Sequence, residues 1–467
     1  MNIMRTIDPS CMRKAPILSA PVPPREPLPF FKYLRTMHDN ALAGFHEDAF
    51  RQPIVEIKYW RLHTFLVSDP DAIRRVLIDN AGNYVKGLVE QRGTTTGSAR
   101  NFPRPDEAEW RQRRRTMASS FDYGSIKEHS PVIVDAASRM STRWSTFPRN
   151  TIVDIHTEMA NLTMGIISRI LSPSNFAELD QVMQLVSEHK GGEAILDPID
   201  FVPMLDVVWK IYRRYRRRRV FRRIESAIDR VIESSAKEKV SSQNPFFERL
   251  LQQKDPNTGG GLDTRAIHDQ IITILGTGHE TAALALMWTW YLLSQHPTQE
   301  ARLHAELDEL LNGRAPEFAD IPKLRYTRMV LEEALRLYPP THTLPWRGAL
   351  QDDELCGIKI PKGATVSIVP WVLHRHWRLW KHPERFDPER FSADRSSERS
   401  LFAYLPFGIG PRVCIGSTFV MTEMVLILAT LAQRFRLRLA PHHVVEPQGL
   451  ISLRARYGMK MTLENRS

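Results

Sequence analysis

Cys414 lies in the segment Phe407-Gly-Ile-Gly-Pro-Arg-Val-Cys-Ile-Gly416. A cysteine thiolate is a strong metal ligand, and its neighbours suit that use. Gly410 and Gly416 let the backbone turn tightly and approach a flat ligand closely. Arg412 brings a positive charge two places before the thiol. Phe407 can shield the sulfur from water, a change of surroundings that tunes a bound metal. Average residue usage makes Phe-x-x-Gly-x-Arg-x-Cys-x-Gly an accident on the order of one in ten thousand for such a chain. The alternative is a buried structural cysteine. If the metal is a haem iron, a thiolate pushes electron density onto it and favours O–O cleavage.

Two other groupings could do chemistry. Residues 271–293 are apolar nearly all round, which predicts a buried helix. Inside that run lies Thr277-Gly-His-Glu-Thr281. A mid-helix glycine is unfavourable by about 1 kcal/mol against alanine, and a buried acid and alcohol are unfavourable unless satisfied. Glu280 and Thr281 could together relay protons to a reacting oxygen. The alternative is a threonine that bonds back to its own helix. In Met329-Val-Leu-Glu-Glu-Ala-Leu-Arg-Leu337, Met329, Val330, Glu333 and Leu337 share one helical stripe. Glu333 then sits on an apolar face with Arg336 three residues on. An internal ion pair fits that spacing, and an ordinary surface pair is the alternative.

The elements that must position these residues are legible in outline. Ile54-Val-Glu-Ile-Lys-Tyr-Trp followed by Thr64-Phe-Leu-Val alternates as a β-hairpin does. Ser68-Asp-Pro70 predicts a helix start, with the helix running to about Leu77. Helical patterns dominate from 107 to 337. After Pro339-Pro340 the chain turns β-rich, and residues 358–368 read as two short strands around a Lys-Gly turn. An apolar helix is predicted at about 418–431, with strands closing the chain.

Composition indicates a globular protein: 42% hydrophobic and 25% charged residues. No linker rich in Pro, Gly or Ser divides the chain internally, so one large domain over 31–467 is expected. It follows a lead-in, 1–30, that carries six prolines between Pro16 and Pro29. Three cysteines, Cys11, Cys356 and Cys414, cannot form a disulfide framework, which points to a reducing, cytoplasmic setting. No secretory apolar stretch opens the chain. His279 and Glu280 argue against a membrane span at 271–293, so no transmembrane anchor is expected. The net charge of +11 is partly local, with nine basic residues within 210–223. No nucleic-acid motif accompanies them, and a solvated helix face is the expectation.

The Cys414 segment resembles the haem-ligand loop of the cytochrome P-450 monooxygenases, matching the family pattern at every fixed position. The likeness extends in consistent order over roughly residues 50–465. Glu333 and Arg336 resemble the family's Glu-x-x-Arg, and Arg390 in Pro388-Glu-Arg-Phe391 would complete its triad, a brace for the ligand loop. Thr277-Gly-His-Glu-Thr281 is similar to Ala/Gly-Gly-x-Asp/Glu-Thr, departing at Thr277, which could narrow the space over the iron. Trp110-x-x-x-Arg114 and Arg347 match positions that, with Arg412, hold haem propionates; arginine's planar fork suits carboxylates. His374-Arg-His-Trp377 departs from His-Arg-Asp-Pro at its last two residues.

The resemblance implies a mainly α fold with a smaller β-rich lobe and a soluble, bacterial-type enzyme. It would carry haem b, with Cys414 as axial ligand and Phe407 and Gly416 around it. It would insert one atom of O2 into a hydrophobic molecule such as a terpenoid, steroid or fatty acid. Glu280 and Thr281 would handle protons. Only residues 417–467 follow the motif, too few for a reductase. NAD(P)H electrons would therefore arrive through a separate ferredoxin or flavodoxin and its reductase, with Arg111, Arg113 and Arg115 offered to an acidic partner. The substrate pocket would draw on 87–105, 195–205, Thr277, Gly278, Thr341, His342 and Leu344. A peroxygenase, a haem-thiolate isomerase and a haem sensor are the alternatives.

Overall fold

The computed structural model describes residues 19–59, 62–86, 107–171, 226, 229–230 and 264–466. Segments 87–105, 195–205 and 210–223 lie outside the described residues.

The described helices are α1 (Phe30–Asp39), α2 (Pro70–Arg74), α3 (Glu107–Ala118), α4 (Tyr123–Ser145), α5 (Ile155–Leu171), α6 (Thr264–Gln295), α7 (Pro297–Leu311), α8 (Arg325–Leu337) and α9 (Ser417–Ala432), with shorter turns between. The strands are β1 (Ile54–Tyr59), β2 (Leu62–Val67), β3 (Tyr84–Lys86), β4 (Ile152–Asp154), β5 (Arg347–Ala349), β6 (Asp353–Leu355), β7 (Ile358–Ile360), β8 (Thr365–Ser367), β9 (Phe435–Leu439), β10 (Pro447–Gly449), β11 (Leu453–Ala455) and β12 (Lys460–Asn465). One mainly helical domain carries a smaller β-rich part.

The expected hairpin forms, with Ile54 opposite Val67 and Tyr59 opposite Leu62. It belongs to a five-stranded sheet ordered β1-β2-β8-β5-β3. At the start of α2, Asp69 Oδ1 accepts from the N–H of Asp71 and Ala72, both at 3.0 Å, while Pro70 takes the first helical position, where its missing N–H is harmless. The helix then loosens into a π-type turn over Arg75–Asp79. The two strands read within 358–368 do not pair with each other. β7 turns back onto β6 through Cys356-Gly357, both at positive φ. β8 instead joins the large sheet between β2 and β5. The Lys362-Gly363 turn read from the sequence does form between β7 and β8, with Gly363 at φ +82°, while each strand finds its partner elsewhere.

α6 runs through the interior. Residues 282–293 are all buried, as a helix apolar on every side requires. It packs most extensively on α5. Trp288 stacks on Tyr338 at the end of α8, with centroids 4.2 Å apart and planes 6° from parallel. Shortening one such residue, as in Leu292→Ala, costs about 2–5 kcal/mol. The proline-rich segment is tied to this core: the Tyr338 hydroxyl donates to the Ser19 carbonyl at 2.9 Å, and Glu47 N–H donates to the Pro24 carbonyl at 2.9 Å. Among the described residues, no helix is long and apolar enough to cross a membrane.

Candidate active site

The segment before α9 folds as a tight loop around Cys414. Gly408 and Gly410 take φ +70° and +77°, a region that other residues enter at a cost of about 1–2 kcal/mol. At Gly410 a Cβ would also lie 2.4 Å from the Leu77 carbonyl oxygen. Two main-chain bonds close the loop: Cys414 N–H donates to the Phe407 carbonyl at 2.9 Å, and Val413 N–H to the Gly410 carbonyl at 3.1 Å. The Cys414 side chain is exposed. Burial of its surroundings raises the thiol pKa, opposed by the Gly416 N–H and by Arg114. Both opposing groups favour a thiolate, and the thiol also stands at the N-terminus of α9. Phe407 packs, half-buried, against the core.

α3 supplies Trp110 and Arg114 to this loop. Arg114 Nη2 donates to the Val413 carbonyl at 2.6 Å. The Arg412 guanidinium stacks over the Trp110 ring at 3.9 Å, and that of Arg114 lies 5.7 Å from the same ring. Burial lowers the Arg114 pKa, and Arg412 lowers it further. Two cations crowded beside an exposed thiol suit a ligand that brings its own carboxylates. Arg347, on β5, is buried and donates Nη1–H to the Pro345 carbonyl at 2.8 Å.

Behind the loop, Glu333 and Arg336 are fully buried. Arg336 donates Nε–H to Glu333 Oε2 at 2.6 Å and Nη2–H to Oε1 at 2.8 Å. Its Nη1 reaches the His374 and Pro383 carbonyls at 2.8 and 2.7 Å. Arg390 Nε donates to Glu333 Oε1 at 3.2 Å. His374 carries the brace to the loop: its Nε2 accepts Leu405 N–H at 2.9 Å. Burial first, then Arg336 and Arg375, holds its pKa well below the ordinary value, which keeps Nε2 free to accept.

The α6 residues form a looser face. Thr277 is exposed and Thr281 half-buried, one turn apart, in a helix otherwise largely enclosed there. The Thr281 hydroxyl donates to the Thr277 carbonyl at 3.0 Å, and the Thr277 hydroxyl to the Thr273 carbonyl at 2.7 Å. The back-bonded threonine is thus the conformation observed. Glu280 forms an ion pair with Arg454 and accepts from the Ser452 hydroxyl at 3.1 Å. A Cβ at Gly278 would meet Ile167 Cδ1 at 3.6 Å, so that direction faces α5 and not the exposed stripe.

His342 has no exposed surface and does not line an open pocket. Its Nε2–H donates to the Leu450 carbonyl at 2.7 Å, a bond that holds the imidazole under the β10–β11 hairpin. Leu344 is largely buried and comes within 3.9 Å of where a Gly408 Cβ would lie. Arg454 and Ser452 had no signal in the sequence: they lie more than 170 residues after Glu280 and belong to no motif. Glu423, a buried carboxyl on α9, was also unmarked.

An exposed thiol in a strained glycine loop, flanked by arginines and braced from behind by a buried ion triad, describes a haem-thiolate site on a mostly helical body. The family model for Cytochrome P450 matches residues 21–456. "Cyclooctatin synthase" of Streptomyces melanosporofaciens is 34% identical over 407 residues, 86% of either chain. "Cyclooctat-9-en-7-ol 5-monooxygenase" of the same organism is 32% identical over 83% of either chain. The fold matches the crystal structure of the cytochrome P450DA heme domain with a TM-score of 0.79, at 22% identity, over 96% of this chain and 98% of that one. The chain belongs to the cytochrome P450 family. It is a monooxygenase that inserts an oxygen atom from O2 into a hydrophobic small molecule. Its cofactor is haem with a cysteine thiolate ligand, and its NAD(P)H-derived electrons come through redox partners.

Proposed function

We propose that this monooxygenase oxidises a terpenoid-like molecule and that the Cys414 thiolate would hold the haem iron. The observation that carries the ligand assignment is the exposed Cys414 thiol, held by main-chain bonds at the N-terminus of α9. The relative named for a 5-monooxygenase of cyclooctat-9-en-7-ol supports the substrate class.

When bound, haem supplies the oxygen activation. The chain's own residues then have separate roles. Arg114, Arg412 and Arg347 would take the propionates, with the Trp110 ring beside the first two. Gly416 N–H donates to the sulfur, and Phe407 keeps water from it. Glu280 and Thr281 move protons at the opposite face, where Thr277 adds a second hydroxyl. Arg111 and Arg115 are exposed on α3 and suit an acidic ferredoxin or flavodoxin. The domain spans 31–467 after the 1–30 lead-in, and the protein works in the cytoplasm.

Reduced protein under CO should show the strongly red-shifted Soret band of thiolate-ligated haem, and Cys414→His should abolish it. An unchanged band in Cys414→Ser would overturn the ligand assignment. Conversion of cyclooctat-9-en-7-ol, followed by mass gain of one oxygen, tests the substrate class.

A further inference from the structure

The Glu280 carboxylate is held from outside its own helix. Arg454 Nη2 and the Ser452 hydroxyl both donate to Glu280 Oε1, and Arg454 Nε reaches Ser452 Oγ at 3.3 Å. Three side chains thereby close a ring that leaves the carboxylate little rotational freedom. The segment that carries the two donors is itself fixed. Leu453 N–H donates to the Pro340 carbonyl at 2.9 Å, and the Leu453 carbonyl accepts from Trp288 Nε1 at 3.1 Å. His342 holds Leu450 at 2.7 Å, and Asn40 Oδ1 accepts from Gly449 N–H at 2.8 Å. His156, at the start of α5, shares this field with Asp154, Glu280 and Arg454. Burial first, then Arg454, lowers its pKa, with Asp154 and Glu280 opposing.

Successive residues of a helix project about 100° apart, so Glu280 does not face Thr281 by default. Something must aim it. We propose that Arg454 is a positioning residue for Glu280, with Ser452 as its second hold, so that the C-terminal hairpin sets where the acid of the proton relay stands. The assignment rests on the reading that Glu280 handles protons.

The test is a double-substitution cycle of Glu280→Gln and Arg454→Met in the haem-loaded enzyme. Cyclooctat-9-en-7-ol serves as the probe substrate, with a ferredoxin and its reductase as electron donor. Arg454→Met should slow turnover roughly tenfold, less than the full effect of losing a proton-transfer group, and should raise peroxide per NAD(P)H. In the Glu280→Gln background it should add nothing. Arg454→Lys should recover part of the loss, and Ser452→Ala should give a smaller loss of the same kind. Unfolding midpoints of the four resting proteins, read without turnover, should be non-additive. Additive midpoints mean the pair does not exist in solution and overturn the proposal. If Glu280→Gln slows turnover but Arg454→Met only lowers the midpoint, the positioning role falls while the proton-handling reading stands. If Glu280→Gln changes nothing, the reading itself falls.

Discussion

The two faces of the site are built differently. On the Cys414 side, a glycine loop with positive φ is closed by main-chain bonds and backed by the Glu333–Arg336–Arg390 triad, itself buried. On the α6 side, the threonines bond to their own helix, and Glu280 is half-buried and tied to a hairpin. The first face has one stable arrangement. Within the triad the buried charges pair with one another and with main-chain carbonyls, and removing a partner strands another. On the second face Glu280 is anchored by Arg454 and Ser452, while Thr277 and Thr281 are bonded to their own helix beside it, Thr277 exposed. The difference matches the chemistry on each side. In the proposed roles, a metal ligand needs a fixed position, and a proton-handling acid needs an aimed one beside an open stripe.

The largest effect should come from the brace. Arg336→Ala leaves Glu333 buried without its bidentate partner, a loss of about 3–5 kcal/mol. Little haem-loaded protein should be recovered on expression; normal yield with normal haem content would show that the Cys414 side is not the rigid one.

A glycine pair sharpens the contrast. Gly410→Ala meets both a positive φ of +77° and the Leu77 carbonyl at 2.4 Å. It should lower stability by roughly 2 kcal/mol or more, since the left-handed region alone accounts for about 1–2 kcal/mol. Gly278→Ala meets only Ile167 at 3.6 Å, an ordinary contact, and should gain up to about 1 kcal/mol of helix propensity. Equal effects in urea titrations would erase the distinction.

The two faces should also fail at opposite ends of the pH range. Burial lowers His342, which holds the hairpin, from 6.5 to about 4, with the Leu450 carbonyl opposing. The folded state then binds fewer protons than the unfolded chain between those values. Stability is lost as pH falls from 6.5 toward 4, by up to about 1.4 kcal/mol per unit. Glu423 on α9 is the reverse case: burial raises it from 4.5 to about 8. The folded state keeps a proton that the unfolded chain releases, so stability is lost as pH rises from 4.5 toward 8. Glu423→Gln should flatten the alkaline side of a melting-temperature profile and His342→Asn the acid side; parallel profiles for all three proteins would refute both assignments.

Thr281→Ala should have the smallest effect on stability, since a hydroxyl bonded to its own helix contributes about 1 kcal/mol or less. Its effect should appear in chemistry. Substrate binding and the CO spectrum should be retained, while peroxide formed per NAD(P)H rises and product falls. Unchanged product yield would transfer the proton path to Thr277.

Legibility divided along the same line. The loop around Cys414 was readable in part because Gly408 and Gly410 take positive φ close to the thiol; Gly416, at φ −89°, answers no such demand. The Glu333–Arg336 pair was readable because helical spacing places both on one stripe, and both are fully buried. The hairpin at 54–67 was readable from its alternation. The two short strands within 358–368 and the turn between them were readable too, but not their partners, because strand pairing is chosen by the whole sheet. His342 was open between a pocket contact and a core residue, and it lies fully buried beneath the hairpin, since nothing in its neighbours reveals what will cover it.

The sequence by itself therefore determined the glycine loop around Cys414, the buried apolar helix and the Glu333–Arg336 pair, because turn geometry and helical period act over a few residues. Only the tertiary structure decided which arginine meets Glu280, which carbonyl meets His342 and what the Gly278 position faces. Those contacts join residues more than a hundred positions apart, and close packing of helices and hairpins, not chain proximity, brings them together.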